Sequence, residues 1–290
     1  MPYDTKEKKA EYDARRWAGR VKLRPLPANT PVGIAHDSGI KVPKNGLRIA
    51  VIPDVQAMAG VPMDHLTAAG NYIAAKQPDV IVCIGDFGDF PSLSRFERGT
   101  MAFEGRRYKS DLGAFHRAMT MLLNPISKVK GYRPHMHFTM GNHEDHIPRY
   151  VQENPALEGF MSLDDLELEG YGWTVHDFLQ PVSIGGVAFC HYFPSGVKGL
   201  AIGTARALLT KLHMSAFAGH LQGRDIAFSR RADGAHMTAI ISGSFYQHEY
   251  DYLSPFTNAH WRGMWFLNEV RDGMFDEMPL TIDFLRRKYR

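Results

Sequence analysis

Apolar positions along the chain fall into two regimes. Between residues 48 and 141, short continuous apolar runs alternate with longer stretches in which apolar residues recur every three or four positions. "RIAVIP" (48–53), "DVIVCIG" (79–85) and "HMHFTMG" (135–141) are of the first kind and read as buried strands. "MDHLTAAGNYIAAKQ" (63–77) and "DLGAFHRAMTMLLNPISKV" (111–129) are of the second kind and read as amphipathic helices, with Asp64 placed to cap the first. Such alternation predicts a mostly parallel sheet with helices outside. After residue 172 the pattern turns strand-rich. "WTVHDFLQPVSIGGVAFCHYF" reads as strands joined by a turn at Gly185 and Gly186, and "SAFAGH", "RDIAFSRR", "HMTAIISGSF", "GMWFLNEV" and "PLTIDFL" read as further strands. "GVKGLAIGTARALLTKLHM" reads as one helix among them. The two regimes together predict an α/β fold, a four-layer α/β/β/α sandwich of two mixed sheets with helices outside.

Ahead of this pattern the chain differs. Residues 5–20 look helical, and residues 24–46 form a Pro- and Gly-containing linker. We therefore expect a basic N-terminal helix and extended arm over 1–46 and a single domain over 47–290. Lys6, Lys8, Lys9, Arg15, Arg16, Arg20, Lys22 and Arg24 concentrate positive charge in the arm. Two readings of that charge stand side by side: a solvated helix face, or a contact to a phosphate backbone or partner. The whole-chain net charge of +3 is too small to predict nucleic-acid binding by itself.

Composition adds little more. With 290 residues and 44% hydrophobic content there is material for a full core. No apolar run approaches the ~20 residues of a membrane span. The charged N-terminus lacks the apolar region of a signal peptide, so the expected location is cytoplasmic. Cys83 and Cys190 each lie inside an apolar run and are expected as buried free thiols.

The chemistry concentrates where the runs end. After the first comes "PDVQ", with Asp54 and Gln56 on one side of the chain. The second ends in "GDFGD" (85–89), the third in "GNHED" (141–145), a later one in "FCHYF" with His191, and another in "FAGHLQ" with His220 and Gln222. Singly, each is an ordinary turn or a locally bonded histidine. Five polar clusters at five strand ends are not, because carboxyl ends of strands in α/β sheets are where sites collect. Their oxygen and nitrogen donors suit divalent ions.

In order and spacing these five blocks resemble the calcineurin-like metallophosphoesterase superfamily, in the style of its phage and bacterial members. The resemblance spans residues 48–222 and implies two divalent ions. Carried over position by position, Asp86 bridges both. One ion takes Asn142, His191 and His220. The other takes Asp54 and the residues at 56 and 222, where the family usually has histidine and this chain has Gln56 and Gln222. Two amide oxygens in place of two imidazoles make a harder, weaker site, favouring Mn²⁺ or Mg²⁺ there, with Mn²⁺, Fe or Zn²⁺ at the other. Two further readings remain: one tight ion with the second arriving with substrate, or a decayed site that binds without turnover.

The implied reaction is hydrolysis of phosphate esters by a metal-bound hydroxide, with His143 donating a proton to the leaving oxygen. Asp89 and Glu144 are both candidates to orient His143. Glu144 and Asp145 equally fit the N-terminus of a helix over "HIPRYVQ". Arg224 is placed to reach substrate phosphate or to form a surface salt bridge. The basic, aromatic segment 95–109 reads as a substrate-facing lid, and the loop 246–263 as a pocket wall or as plain packing. The expected partner is a phosphate-ester substrate, more a diester than a monoester. The alternatives are a DNA nuclease of the same superfamily and a binding or scaffold protein on this fold. Substrate identity and oligomeric state are not legible in the sequence.

Overall fold

The computed structural model describes residues 35–95, 99–249 and 260–290. The chain divides into two compact units, Met1–Ile34 and Ala35–Arg290. The expected helix over 5–20 and its basic side chains lie outside the described residues, and every element named below belongs to the second unit.

The continuous apolar runs become the centre of a six-stranded sheet. β2 (Leu47–Ile52), β3 (Val80–Cys83), β4 (His135–Thr139) and β5 (Thr174–His176) run parallel. β13 (Gly263–Arg271) joins β2 antiparallel and β14 (Met274–Thr281) closes that edge, giving the order β14-β13-β2-β3-β4-β5. Along β2 the side chains alternate: Ala50 and Ile52 face helices, Ile49 and Val51 face the second sheet. Both faces are buried from Ile49 onward, which is why the run is apolar beyond the exposed Arg48. Helices α1 (Asp64–Lys76) and α2 (Tyr108–Ser127) cover the outer face through Leu66, Ile73, Phe115 and Leu122.

The second sheet has the order β1-β6-β7-β10-β12-β11. Its strands are β1 (His36–Asp37), β6 (Val182–Ile184), β7 (Val187–Cys190), β10 (Ala216–Ala218), β11 (Arg224–Arg230) and β12 (His236–Ser242). β6 and β7 form the hairpin expected at Gly185 and Gly186, both at positive φ. Phe189, Phe217 and Ile240 pack against Val51, Val82 and the fully buried Trp265 of the first sheet. Trp265 anchors this interior with a hydrogen bond from Nε1 to the Ser242 carbonyl, 2.8 Å. Of the remaining helices, α3 (His146–Glu153) follows β4, and α4 (Ala205–Leu212) lays Leu208 and Leu209 on the outer face of the second sheet, against Ala188, Ala216 and Ala239. The architecture is the expected α/β/β/α sandwich of two mixed sheets.

Four local readings change. Asp64 does not cap α1: Met63 is the cap residue, with no side-chain bond, and Asp64 instead accepts hydrogen bonds from Gln247 and Arg286. α2 begins at Tyr108, three residues before Asp111. The helix expected over 196–214 shrinks to α4, because Gly196 and Gly199 take positive φ and turn a small ribbon, β8 (Pro194–Ser195) with β9 (Leu200–Ala201). Finally, "PLTIDFL" is not all strand. Thr281 Oγ accepts the Phe284 N–H, 3.2 Å, and starts α5 (Ile282–Lys288), whose last turn holds Arg286, Arg287 and Lys288 where the helix dipole favours cations.

Candidate metal centre

The five polar blocks meet at one rim. Asp54 follows β2, Asp86 follows β3, and Asn142 follows β4 in the first sheet; His191 follows β7 and His220 follows β10 in the second. Ligand atoms of Asp86, His191 and His220 lie within 4.8 Å of one another. Asn142 Oδ1 stands 2.9 Å from His191 Nε2 and 2.7 Å from His220 Nδ1. Asp86 Oδ2 is 3.2 Å from His191 Nε2. His191 Nδ1 donates to the Ile84 carbonyl, 2.9 Å, which leaves Nε2 facing the cluster.

Backbone conformation holds the donors in place. Gln56, Asp86, His220 and Gln222 all have positive φ, from 45° to 68°. Four of the seven expected ligands thus sit in a region that disfavours side chains with a Cβ, a strain that folds tolerate at functional sites. Two glycines allow the close approach. A Cβ on Gly141 would overlap Asp86 Oδ1 and the Asp86 backbone nitrogen, and a Cβ on Gly219 would lie 2.5 Å from Asp54 Oδ1.

Glu144 does not orient His143. It is fully buried, and its two oxygens accept backbone N–H groups of Asp86 (2.9 Å), Phe87 (2.8 Å), Gly88 (3.2 Å) and Gly141 (2.9 Å). It ties the loop after β3 to the loop after β4. Nor is Asp145 a side-chain cap for α3; it pairs with Arg149 at 2.5 Å. The partner of His143 is Asp89. His143 Nδ1 donates to the Asp89 carbonyl at 2.5 Å and lies 3.2 Å from its carboxylate, while His143 Nε2 is 3.8 Å from Asp86 Oδ2.

Charges here are arranged for a cation. Burial drives the Asp54 carboxyl up, opposed by His191 and reinforced by the charge of Asp86. Burial opposes ionisation of Asp86 as well, yet His191 and His143 hold it below the usual carboxylate range. Against burial, Asp86 pulls His191 up to about 9, and Asp86 and Asp89 raise His143 well above its ordinary value. Burial, with His191 adding to it, pushes His220 down to about 4. Two buried acids, Asp86 in contact with imidazole nitrogens and Asp54 at the His220 backbone, thus favour positive charge at this rim. This donor set fits a divalent ion held by Asp86, Asn142, His191 and His220.

On the other side, Asp54 accepts the His220 N–H at 3.2 and 3.1 Å from its two oxygens. Gln56 is buried and its N–H donates to the Asp86 carbonyl, 2.9 Å. Gln222 Oε1 accepts a hydrogen bond from Tyr246 Oη, 2.9 Å. The Arg224 guanidinium lies over an aromatic ring, 5.0 Å from the Trp261 centroid. Sequence reasoning passed over one residue, His146, and covered Tyr246 and His248 only as part of the loop 246–263. His146, three positions after His143, brings its ring to 5.1 Å from it. Tyr246 reaches Gln222, and His248 stacks on Tyr246 at 4.6 Å while sensing the charge of Asp89. The i,i+3 spacing could have flagged His146; the His and aromatic content of 246–263 marked the loop, but nothing local pairs Tyr246 with Gln222. Of the lid segment, 96–98 lie outside the described residues, as do 250–259 of the late loop. Among the described residues no helix is long and apolar enough to cross a membrane.

Comparison with known proteins identifies the family. The family model for calcineurin-like phosphoesterases matches residues 47–198. The gene 54 protein of Mycobacterium phage D29 is 29% identical over 208 residues, covering 67% of this chain and 76% of the relative. The gene 54 protein of Mycobacterium phage L5 is 30% identical over 189 residues, covering 62% and 70%. A solved dimetal phosphatase from Danio rerio aligns over 81% of this chain and 99% of its own at 12% identity and a TM-score of 0.38. Four of the five strand-end blocks, through His191, fall inside the matched segment, and the chain belongs to the calcineurin-like phosphoesterase family.

Proposed function

We propose that this phosphoesterase hydrolyses phosphodiesters with two divalent ions, Mn²⁺ or Mg²⁺ on the side of Gln56 and Gln222. The observation that carries the reading is the convergence of Asp86, Asn142, His191 and His220 beside a histidine already paired with an acid. Asp86, Asn142, His191 and His220 would hold one ion, and Asp54, Gln56, Asp86 and Gln222 the other. Ions bound there offset the charge of the phosphoryl group and acidify water.

The remaining work belongs to the chain. Asp89 fixes the His143 ring through Nδ1, so Nε2 is the atom that carries a proton toward the ester. Asp86 and Asp89 raise the pKa of that imidazole against burial, which favours the protonated form that a donor to a leaving oxygen requires. Glu144 holds the two loops that carry Asp86 and Asn142, so the donors need no rearrangement. The diester preference rests on Arg106 and Arg107 of the basic segment, which line a groove of about 290 Å³ together with Glu104, Ser110 and Asp111. Arg106 donates to Met58 Sδ at 3.4 Å, two residues beyond Gln56, so this cation borders the loop that carries Gln56.

The test is turnover of bis(p-nitrophenyl) phosphate and p-nitrophenyl phosphate with Mn²⁺, Mg²⁺, Zn²⁺ or chelator. Diester turnover with Mn²⁺ or Mg²⁺, abolished by chelator, is expected. Preference for the monoester overturns the diester assignment. No turnover with any ion overturns the enzyme and leaves a binding or scaffold role.

A further inference from the structure

The segment 244–247 is stitched to the Asp54 side of the rim. The Phe245 N–H donates to the Asp54 carbonyl, 2.8 Å, and the Phe245 carbonyl accepts from His65 Nε2, 2.8 Å. Gln247 Nε2 donates to Asp64 Oδ1, 2.8 Å, and to His65 Nδ1, 2.9 Å. Between these two anchors stands Tyr246, 1% exposed, with the Arg262 guanidinium 4.9 Å from its ring centroid and His248 stacked at 4.6 Å. These contacts pack its ring and so fix the place of its hydroxyl.

That hydroxyl meets Gln222 Oε1 at 2.9 Å and His260 Nε2 at 3.2 Å, and His260 Nε2 is 2.8 Å from Ser244 Oγ. With the proton on Nε2, His260 donates to this pair of hydroxyls, and Tyr246 keeps its own proton for Gln222. The arrangement meets a need created by the residue at 222. An imidazole is a stiff donor, whereas glutamine has three rotatable bonds and an amide that can present either oxygen or nitrogen. A fixed hydroxyl on one lone pair of Oε1 settles both, and leaves the second lone pair of the same oxygen free to face the rim.

We propose that Tyr246 is a positioning residue that orients the Gln222 carbonyl toward an ion on the Asp54 side. This rests on the reading of Gln222 as an ion ligand. Tyr246 acts through Gln222 and touches neither the ion nor the ester.

The experiment is calorimetric titration of metal-free full-length protein with Mn²⁺, comparing wild type, Tyr246→Phe, Gln222→Ala and the double variant. Wild type is expected to take up two equivalents of unequal affinity. Tyr246→Phe should weaken the weaker one about tenfold, as loss of an outer-shell partner does, and leave the tighter one unchanged. In the Gln222→Ala background Tyr246→Phe should add nothing. Should Tyr246→Phe fail to fold, His260→Leu, which removes the donor that directs the Tyr246 proton to Gln222, must weaken the same equivalent and leave the tighter one unchanged. Two equivalents with Tyr246→Phe indistinguishable from wild type, or an effect that persists without Gln222, overturns the proposal alone. A wild-type stoichiometry of one overturns the two-ion reading and the proposal with it.

Discussion

Residue type alone announced most of the proposed ligands, because Asp, Asn and His after a strand are already donors whatever surrounds them. Their partners were a different matter. His143 had two acids within reach by sequence, and the structure assigns Asp89 to it and Glu144 to the backbone. The two assignments predict different phenotypes. His143→Ala should keep Mn²⁺ affinity near wild type and lose rate by ~10²–10⁴, the range for a missing general acid; a large drop in calorimetric affinity would instead make His143 a ligand. Glu144→Gln turns an amide NH₂ toward backbone N–H donors. It should destabilise the fold by about 2 kcal/mol or more, read from urea unfolding, since buried donors left unpaired cost roughly 1–3 kcal/mol each. If Glu144→Gln instead unfolds at the wild-type urea midpoint and loses only rate, the clamp assignment is wrong.

Among elements, the informative ones are the loops after the strands. They carry four of the seven proposed ligands at positive φ and are packed so closely that a Cβ at Gly141 would overlap Asp86. Gly141→Ala should therefore leave the circular dichroism spectrum native while raising the Mn²⁺ dissociation constant at least tenfold; unchanged affinity would mean that the loop yields without moving Asp86. Strand and helix periods were legible wherever a segment had one environment. They misled where environment changed within a run. "LTIDFL" alternates like a strand, yet Thr281 and the closing basic residues also mark a helix, and packing of Ile282 and Leu285 on the first sheet settled the matter. The 196–214 stretch was read through its glycines, which in the folded chain reverse direction at Gly196 and Gly199.

For the whole molecule, the connection between helix α1 and the rim gives stability a pH dependence. Burial pushes His65 down to about 4, while its two nitrogens are committed to Phe245 and Gln247. In the unfolded chain the same imidazole titrates near 6.5. The folded state binds fewer protons between these values, so stability is full above pH 6.5 and falls as pH drops toward 4. The loss from this group is roughly 3 kcal/mol over that window, at about 1.4 kcal/mol per unit. Urea midpoints measured from pH 7.5 to 4 should decline mainly below 6.5, and His65→Gln should flatten the slope. A midpoint independent of pH across this window contradicts the buried neutral imidazole.

By itself the sequence determined the alternation of elements, the two mixed sheets and the chemical identity of the rim, because periodicity and side-chain chemistry are properties of neighbouring residues. It could not determine which sheet each late strand joins, which acid faces His143, or that Tyr246 meets Gln222. Those depend on contacts between residues from 24 to 180 positions apart, such as Tyr246 with Gln222 and Phe245 with His65, and on which strand ends arrive at the same rim. Such pairings are decided by the closing of two sheets on a shared core, and only the folded chain expresses them.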